Sequence, residues 1–318
     1  MILEVQHETR FTYTDAVTEA VAEVRMEPAS DADQSCHSFH LAITPAGANP
    51  HRFQDGLGNR IHAFNLLAPH HEVRILAAGI VETHPQPRDL SASRATFPLD
   101  RDQFDLKVLD FLKFRGPVRN TPLLQPLREA LTPRPDTRVA DMLLRVSERI
   151  HAEFTYERDV TLAHSPIDDL LRHRKGVCQD FTHLMIALLR SFDVPARYVS
   201  GYIHRPNKES QSHAWCEGWL PDLGWVGVDP TNACLVNDHF IKVAIGRDFT
   251  DVPPNKGVYR GRAREAILVR VETRTLDRLP SLSWQEQLPP LDVPLTQIIT
   301  RLGGASLGEG DAEQQQQQ

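Results

Sequence analysis

The chain has 318 residues, of which 41% are hydrophobic and 24% charged, and its formal net charge is -7. This length and composition exclude a disordered chain and are typical of a soluble globular protein of about two domains. The negative charge and the scattered basic residues give no reason to expect nucleic-acid binding. The sequence has neither an apolar run that could span a bilayer nor a basic, apolar leader, so we expect no membrane contact and a cytoplasmic location.

Cysteine and histidine usage argues against a metal site. The four cysteines are too few and too scattered for a disulfide framework, which agrees with a reducing compartment. The sequence contains no Cys-x-x-Cys pair, which argues against structural zinc. The adjacent His70 and His71 would point to opposite faces of a strand and could not bind one ion without a loop between them. We therefore expect no metal and no cofactor, although the first part of the chain is rich in histidine, with His37, His40, His62, His70 and His71.

The first part of the chain has the pattern of half-buried strands. Apolar and polar residues alternate over 3–13 and again over 39–43. Further strands are predicted over 60–64, after a glycine-rich turn, and over 73–81. These segments predict an antiparallel, β-sandwich-like domain over residues 1–84.

Helical patterns follow this domain. Segments near 101–114 and 122–131 indicate a helical connector, and a helix around 137–153 opens the next domain. Near the end of the chain the periodicity weakens into proline-rich sequence and then a polar, low-complexity stretch. The predicted boundaries are 1–84 for the β-rich domain, 85–134 for the helical connector, 135–275 for the core, 276–302 for a C-terminal extension and 303–318 for a disordered, glutamine-rich tail.

The clearest helix of the core carries a cysteine at its start. Apolar residues recur at the spacing of a buried helical face, Gly176 suits the entry turn and Pro195 the stop, so we predict a helix over 178–191. Cys178 then lies in the first turn, where unpaired backbone N–H groups favour a thiolate and where its own N–H could stabilise an oxyanion. The alternative is that Cys178 is a buried small hydrophobic residue, as most cysteines are.

Two strands downstream of this helix form a predicted hairpin across a Pro-Asp-Leu-Gly turn. If Trp219 pairs with Trp225, then His213 and Asp229 lie diagonally on one face, roughly 7 Å apart and within side-chain reach. A register different by one residue would place Asp229 on the opposite face. Alternatively, His213 is an ordinary strand histidine and Asp229 forms a turn before the proline that follows it.

The order Cys178, His213, Asp229 indicates thiol acyl transfer. A thiol is a good nucleophile only as the thiolate, so it needs a base to hold its proton and a third group to fix that base. In this hypothesis Cys178 is the nucleophile, His213 is the general base and later the general acid, and Asp229 orients the imidazole. A buried structural cysteine, an ordinary strand histidine and a turn-forming aspartate, taken separately, do not explain why all three residues fall where one helix and one hairpin converge.

The segments around these residues also resemble a known family, the transglutaminase-like superfamily, over roughly residues 2–270. Within it, the chain is similar to the bacterial branch that carries a β-rich N-terminal domain. The resemblance implies an α+β protein whose papain-like core packs a central helix on an antiparallel sheet, with a triad matched by Cys178, His213 and Asp229. The loop before His213 is shorter than we expect in many relatives. This difference affects the expected substrate-binding rim and not the triad. The segments are Gly176-Val177-Cys178-Gln179-Asp180-Phe181, Ser212-His213-Ala214-Trp215 and Val228-Asp229-Pro230.

The family leaves the acceptor of the acyl group open, because the same core hosts transglutaminases, peptidases and amidases. We slightly favour hydrolysis of an amide in a peptide or protein substrate over crosslinking of glutamine to an amine, since water needs no second binding site. Gln179 is a candidate second oxyanion donor, and Trp215 is a candidate substrate contact that could shield a thioester. A non-catalytic binding or assembly module is the main alternative, and an acetyl-transferring arylamine enzyme is a lesser one.

Overall fold

The structure of the chain is a computed structural model, which describes residues 1–86, 88–206, 211–280 and 299–300. It confirms the predicted α+β class, with an antiparallel N-terminal sheet that curls on itself and a core in which helices pack on a second sheet. The N-terminal sheet begins with the strands β1 (Ile2–Val24), β2 (Gln34–Thr44), β3 (His51–Gln54), β4 (Arg60–Leu66) and β5 (His70–Thr83).

The core follows a connector of short helices and 3-10 turns. No helix among the described ranges is long and apolar enough to cross a membrane. The helices are α1 (Leu106–Leu109), α2 (Gln125–Leu131), α3 (Val139–Glu153), α4 (Ile167–His173) and α5 (Cys178–Ser191). The remaining strands are β6 (Thr155–Tyr156), β7 (Lys175–Gly176), β8 (Ala196–Ile203), β9 (Gln211–Leu220), β10 (Gly224–Asp229), β11 (Cys234–Leu235), β12 (Phe240–Gly246), β13 (Asn255–Arg260), β14 (Glu265–Leu276) and β15 (Ile299–Thr300).

Helix α5 is the centre of the core and has the predicted bounds. Every residue from Cys178 to Arg190 is buried, because α5 packs on α3 and on one face of an antiparallel sheet with the strand order β11-β10-β9-β8-β12. A helix that is buried on all sides lies inside a core and not on its surface. The apolar periodicity of α3 and α5 therefore indicated correctly where the core lies.

The curl of the N-terminal sheet comes from β1. Its first half pairs with β5 and its last residues pair with β4, and a register irregularity between Thr12 and Val17 comes shortly before the strand changes partner. The two halves thus enclose a separate apolar cluster that includes Phe11, Phe64 and Ile75. A bulge of this kind bends a strand and increases its twist.

Residues 255–276 leave the core and return to this sheet. β14 runs antiparallel to the first half of β1, beginning at the pair Ile2 and Leu276, and β13 pairs with the end of β1. The predicted core, 135–275, included residues 255–275, because a strand pattern does not name the strand's partner. The predicted extension over 276–302 lies mostly outside the described residues, and the predicted tail over 303–318 lies entirely outside them.

Two amide side chains of the N-terminal sheet cover the outer edge of β12. The Gln34 amide donates to the Lys242 carbonyl (2.9 Å) and accepts from the Lys242 N–H (2.8 Å). The Asn59 amide does the same with Ile245, at 2.8 and 2.7 Å. Since β12 is the last strand in the order of the core sheet, these side chains take the place of a further strand and protect an edge that would otherwise pair with other chains.

Replacing Gln34 with alanine is expected to lower the free energy of unfolding by about 1–3 kcal/mol, because buried backbone groups of Lys242 lose their partners. Urea denaturation followed by circular dichroism measures this change. The control is Gln125→Ala, because the Gln125 amide is exposed and donates to Glu129 on the helix surface. We expect that variant to lose less than about 0.5 kcal/mol, and equal losses in both variants would contradict a bridging role for Gln34.

Candidate active site

Cys178 begins α5 and is 1% exposed. The turn before it is tight, since a Cβ at Gly176 would lie 2.7 Å from Asp180 Oδ2 and 2.9 Å from Leu170. The same Asp180 oxygen accepts the Val177 N–H at 2.9 Å. Glycine at 176 and an acid at 180 therefore fix the chain where it enters the first turn of the helix.

The hairpin downstream of α5 has the predicted register. Trp225 pairs with Trp219, and the pairing continues to Val228 and Cys216. The turn closes on Gly224, whose φ of +73° favours glycine. This register brings His213 on β9 and the last residue of β10 to one end of the sheet.

His213 and Asp229 form a buried pair at this end. Their Nε2 and Oδ2 atoms lie 2.7 Å apart, and the side chains are 3% and 0% exposed. Asp229 also accepts the Thr231 N–H (2.8 Å) and the Asn232 side-chain amide (2.6 Å). The carboxylate is thus held by its own turn and in turn fixes the imidazole, and the predicted closeness of the two side chains is confirmed.

The imidazole also meets the thiol. Cys178 is hydrogen-bonded to the His213 ring, so the ring lies between the thiol and the carboxylate. Burial lowers the pKa of His213, but the charge and hydrogen bond of Asp229, together with Cys178, outweigh burial and raise this pKa to about 10. Burial raises the pKa of Asp229, but His213, the Asn232 amide and the Thr231 N–H lower it by more, so the net shift is downward. The environment thus favours the imidazolium form of His213 beside the Asp229 carboxylate.

The other two candidate residues lie elsewhere. The Gln179 side chain is buried and donates to the Ala163 carbonyl at 2.7 Å, which ties the preceding loop to α5. Trp215 is fully buried and packs edge-to-face on Phe240, with 5.3 Å between ring centroids, while its ring lies 6.4 Å from that of His213. The structure therefore places Gln179 as a support of the loop and Trp215 behind the imidazole.

A second contact between the loop and α5 was missed by the sequence analysis. The Thr161 hydroxyl donates to Asp180 Oδ2 at 2.6 Å, across 19 residues of chain. Asp180 is 3% exposed, and burial raises its pKa to about 6. The only local signal was the acid in the first turn of α5, and nothing in the sequence indicated which hydroxyl would meet it.

Replacing Thr161 with valine is expected to slow acylation of Cys178 by 4-nitrophenyl acetate about 10-fold, because small displacements of a nucleophile cost rate steeply. The burst of 4-nitrophenolate measures acylation, and Thr161→Ser should restore it. Thr182→Val is the matched control, since Thr182 is a buried residue of α5 whose hydroxyl has no hydrogen-bond partner in the described part of the chain. Equal rates in the two valine variants would show that the Thr161 contact does not position Cys178.

Two family models match this chain. Residues 126–230 match the transglutaminase-like superfamily, and residues 3–82 match the bacterial transglutaminase-like N-terminal region. The chain belongs to the transglutaminase-like superfamily. An uncharacterised protein of Mycobacterium leprae is 33% identical over 294 residues, which cover 86% of this chain and 99% of that protein. An uncharacterised protein of Mycobacterium tuberculosis is 31% identical over 83% of this chain and 89% of its own length.

Further comparisons concern the fold and the core of this superfamily member. A solved structure of a candidate cysteine protease from Cytophaga hutchinsonii has a TM-score of 0.71, covers 88% of this chain and 93% of its own, and is 21% identical. It confirms the papain-like arrangement of the core. A protein-glutamine gamma-glutamyltransferase of Pseudomonas aeruginosa is 32% identical over 133 residues, which cover 38% of this chain and 19% of that enzyme.

Proposed function

We propose that this transglutaminase-like protein is a thiol enzyme that acts on an amide of a peptide or protein through a covalent thioester on Cys178. His213 takes the thiol proton and delivers it to the leaving amine, and Asp229 orients His213 and stabilises its charged form. The thiolate attacks the carbonyl carbon, the C–N bond breaks as the amine leaves, and an acceptor then releases the acyl group from sulfur. The reaction needs no cofactor.

The observation that carries this proposal is the buried contact chain from thiol to imidazole to carboxylate. Asp229 lies 2.7 Å from His213, and Cys178 is hydrogen-bonded to the same ring. An ion pair in the core without a function would usually be replaceable by apolar residues at no loss of stability. Here the imidazole of the pair also contacts Cys178 at the N-terminal end of α5, where a thiolate is favoured.

For the acceptor, we propose water in the first place. Hydrolysis needs no second protein-binding site, and the fold neighbour from Cytophaga hutchinsonii is a candidate cysteine protease. Transfer to a lysine amine is the second candidate, and the match to the Pseudomonas aeruginosa protein-glutamine gamma-glutamyltransferase supports it. Mass spectrometry of a glutamine peptide incubated with and without a primary amine separates the two, because hydrolysis adds water to the acyl group and transfer adds the amine.

The proposal is tested by the rate of Cys178 alkylation with iodoacetamide as a function of pH, with the labelled site identified by peptide mapping. Fast labelling below about pH 7 that is lost in His213→Ala is the expected result for a His-paired thiolate. His204→Ala is the control, because His204 is a largely buried histidine that bonds Thr273. Labelling that rises only near about pH 8.5, as for an ordinary thiol, would instead favour a non-catalytic binding or assembly module.

A further inference from the structure

Two large apolar side chains are exposed on the segment that precedes the catalytic helix. Tyr156 is 40% exposed and Leu162 is 61% exposed. We call residues 156–165 the rim segment. Exposed apolar residues scattered singly are ordinary, but a pair fixed beside a reactive thiol is in a position to contact whatever the thiol attacks.

The rim segment is fixed to α5 on both sides of Leu162. The Thr161 hydroxyl bonds Asp180 at 2.6 Å, and the Ala163 carbonyl accepts from Gln179 at 2.7 Å. These two partners are the residues that directly follow Cys178 in the first turn. Thr161 and Ala163 therefore face the helix, and Leu162 between them presents its side chain to solvent close to the nucleophile.

Tyr156 is fixed at the other end of the rim segment. Strand β6 pairs with β7 so that Tyr156 lies opposite Gly176, two residues before Cys178. Its ring packs against Phe181 with 6.4 Å between centroids at 85°. Desolvation and the charge of Cys178 both raise the pKa of Tyr156, which agrees with a place beside the thiol.

We propose that Tyr156 and Leu162 are specificity-determining residues that bind an apolar side chain of the acyl donor, next to the carbonyl that Cys178 attacks. This inference rests on the proposed function. A rim held by hydrogen bonds loses little entropy when a substrate covers its exposed leucine, so burial of apolar surface adds directly to binding. The main alternative is a preference for an acidic side chain in the acyl donor. Two cations would favour it, since Arg158 is hydrogen-bonded to the Tyr156 hydroxyl and Arg205 lies near it.

The test compares kcat/KM for the 4-nitrophenyl esters of N-acetylphenylalanine and N-acetylaspartate. We expect the wild type to prefer the phenylalanine ester by about 10-fold or more, and Leu162→Ser to reduce that preference at least about 5-fold. Leu67→Ser is the matched control, because Leu67 is 67% exposed on the N-terminal domain. Iodoacetamide labelling of Cys178 should be unchanged in Leu67→Ser, since Leu67 lies on the N-terminal domain.

The possible outcomes separate failure of the rim assignment from failure of the triad. A wild type that prefers the aspartate ester, or a Leu162→Ser variant with the same ester preference as Leu67→Ser, would overturn the rim assignment while fast alkylation still supports the triad. A wild type whose Cys178 labels as an ordinary thiol and which turns over neither ester would overturn the triad and the rim assignment together.

Discussion

Replacing Asp229 with asparagine is expected to slow acylation of Cys178 by about 10³- to 10⁴-fold, because the neutral amide no longer stabilises the imidazolium or fixes its tautomer. Asp229 lies 2.7 Å from His213 Nε2 and is fully buried. An asparagine can keep the shape of the side chain but not its charge. The 4-nitrophenolate burst measures the rate, and circular dichroism confirms that the variant is folded.

The pH dependence of this variant follows from the pKa of His213. In the wild type this pKa is raised from 6.5 to about 10, so the charged pair stabilises the fold fully below the ordinary histidine pKa and is lost as the pH rises through about 10. Without the carboxylate, burial lowers the pKa and the imidazole is neutral near about pH 7. Fast iodoacetamide labelling near neutral pH should therefore disappear and return only at the pH where the thiol ionises by itself.

Asp55→Asn is a closely matched control. Asp55 also begins a turn, accepts two backbone N–H groups at 2.9 and 3.0 Å, and accepts a neighbouring asparagine side chain, Asn59, at 2.9 Å. It differs from Asp229 in lacking a histidine partner among the contacts described. If both asparagine variants lost activity equally, the effect at Asp229 would be structural and its role in the triad would be rejected.

Replacing Glu217 with glutamine is expected to lower the free energy of unfolding by about 3–5 kcal/mol, since two cations then lose their shared carboxylate. Glu217 is 4% exposed and accepts from the Arg197 guanidinium at 2.6 Å and from the Lys242 ammonium at 2.8 Å. Both cations have little exposed side-chain surface, 14% and 11%, so water cannot replace the missing charge. Urea denaturation at neutral pH measures the loss.

The stability difference between the wild type and Glu217→Gln should become smaller in acid. Burial raises the pKa of Glu217, but Arg197 and Lys242 outweigh it and lower the pKa to about 2. The ionised carboxylate thus stabilises the fold above the ordinary glutamate pKa, and this contribution is lost as the pH falls through about 2. The difference between wild type and variant should shrink over that range. Glu82→Gln, which affects an exposed pair with His37, should leave the stability almost unchanged at every pH, because water screens that pair.

The sequence predicted helix α5 and the hairpin well, because both depend on local signals. Apolar spacing with Gly176 and Pro195 indicated the bounds of α5, and the length of one turn indicated the register of Trp219 against Trp225. That register alone placed His213 within reach of Asp229. Successive side chains of a strand point to opposite faces, so the register decides whether two residues share a face. A correctly predicted turn was therefore sufficient to place His213 and Asp229 on the same face.

Contacts between distant segments could not be predicted in the same way. The bond from Thr161 to Asp180 and the return of residues 255–276 to β1 pair elements that carry no mark of their partners. At the short helix α4, Pro166 holds the N-cap position, and the Ser165 hydroxyl just before it accepts the Leu162 N–H. A serine before a helix has several backbone groups within reach, and packing selects among them.

The return of β14 to β1 also sets the order in which the protein can be completed during synthesis. Glu4 and Arg274, which pair across these strands, are 270 residues apart. β1 must therefore wait for β14 to be synthesised, while Cys178, His213 and Asp229 are already available to fold between them. A nascent chain that stalls before β14 would carry all three residues of the proposed triad on a protein in which one edge of β1 is still unpaired.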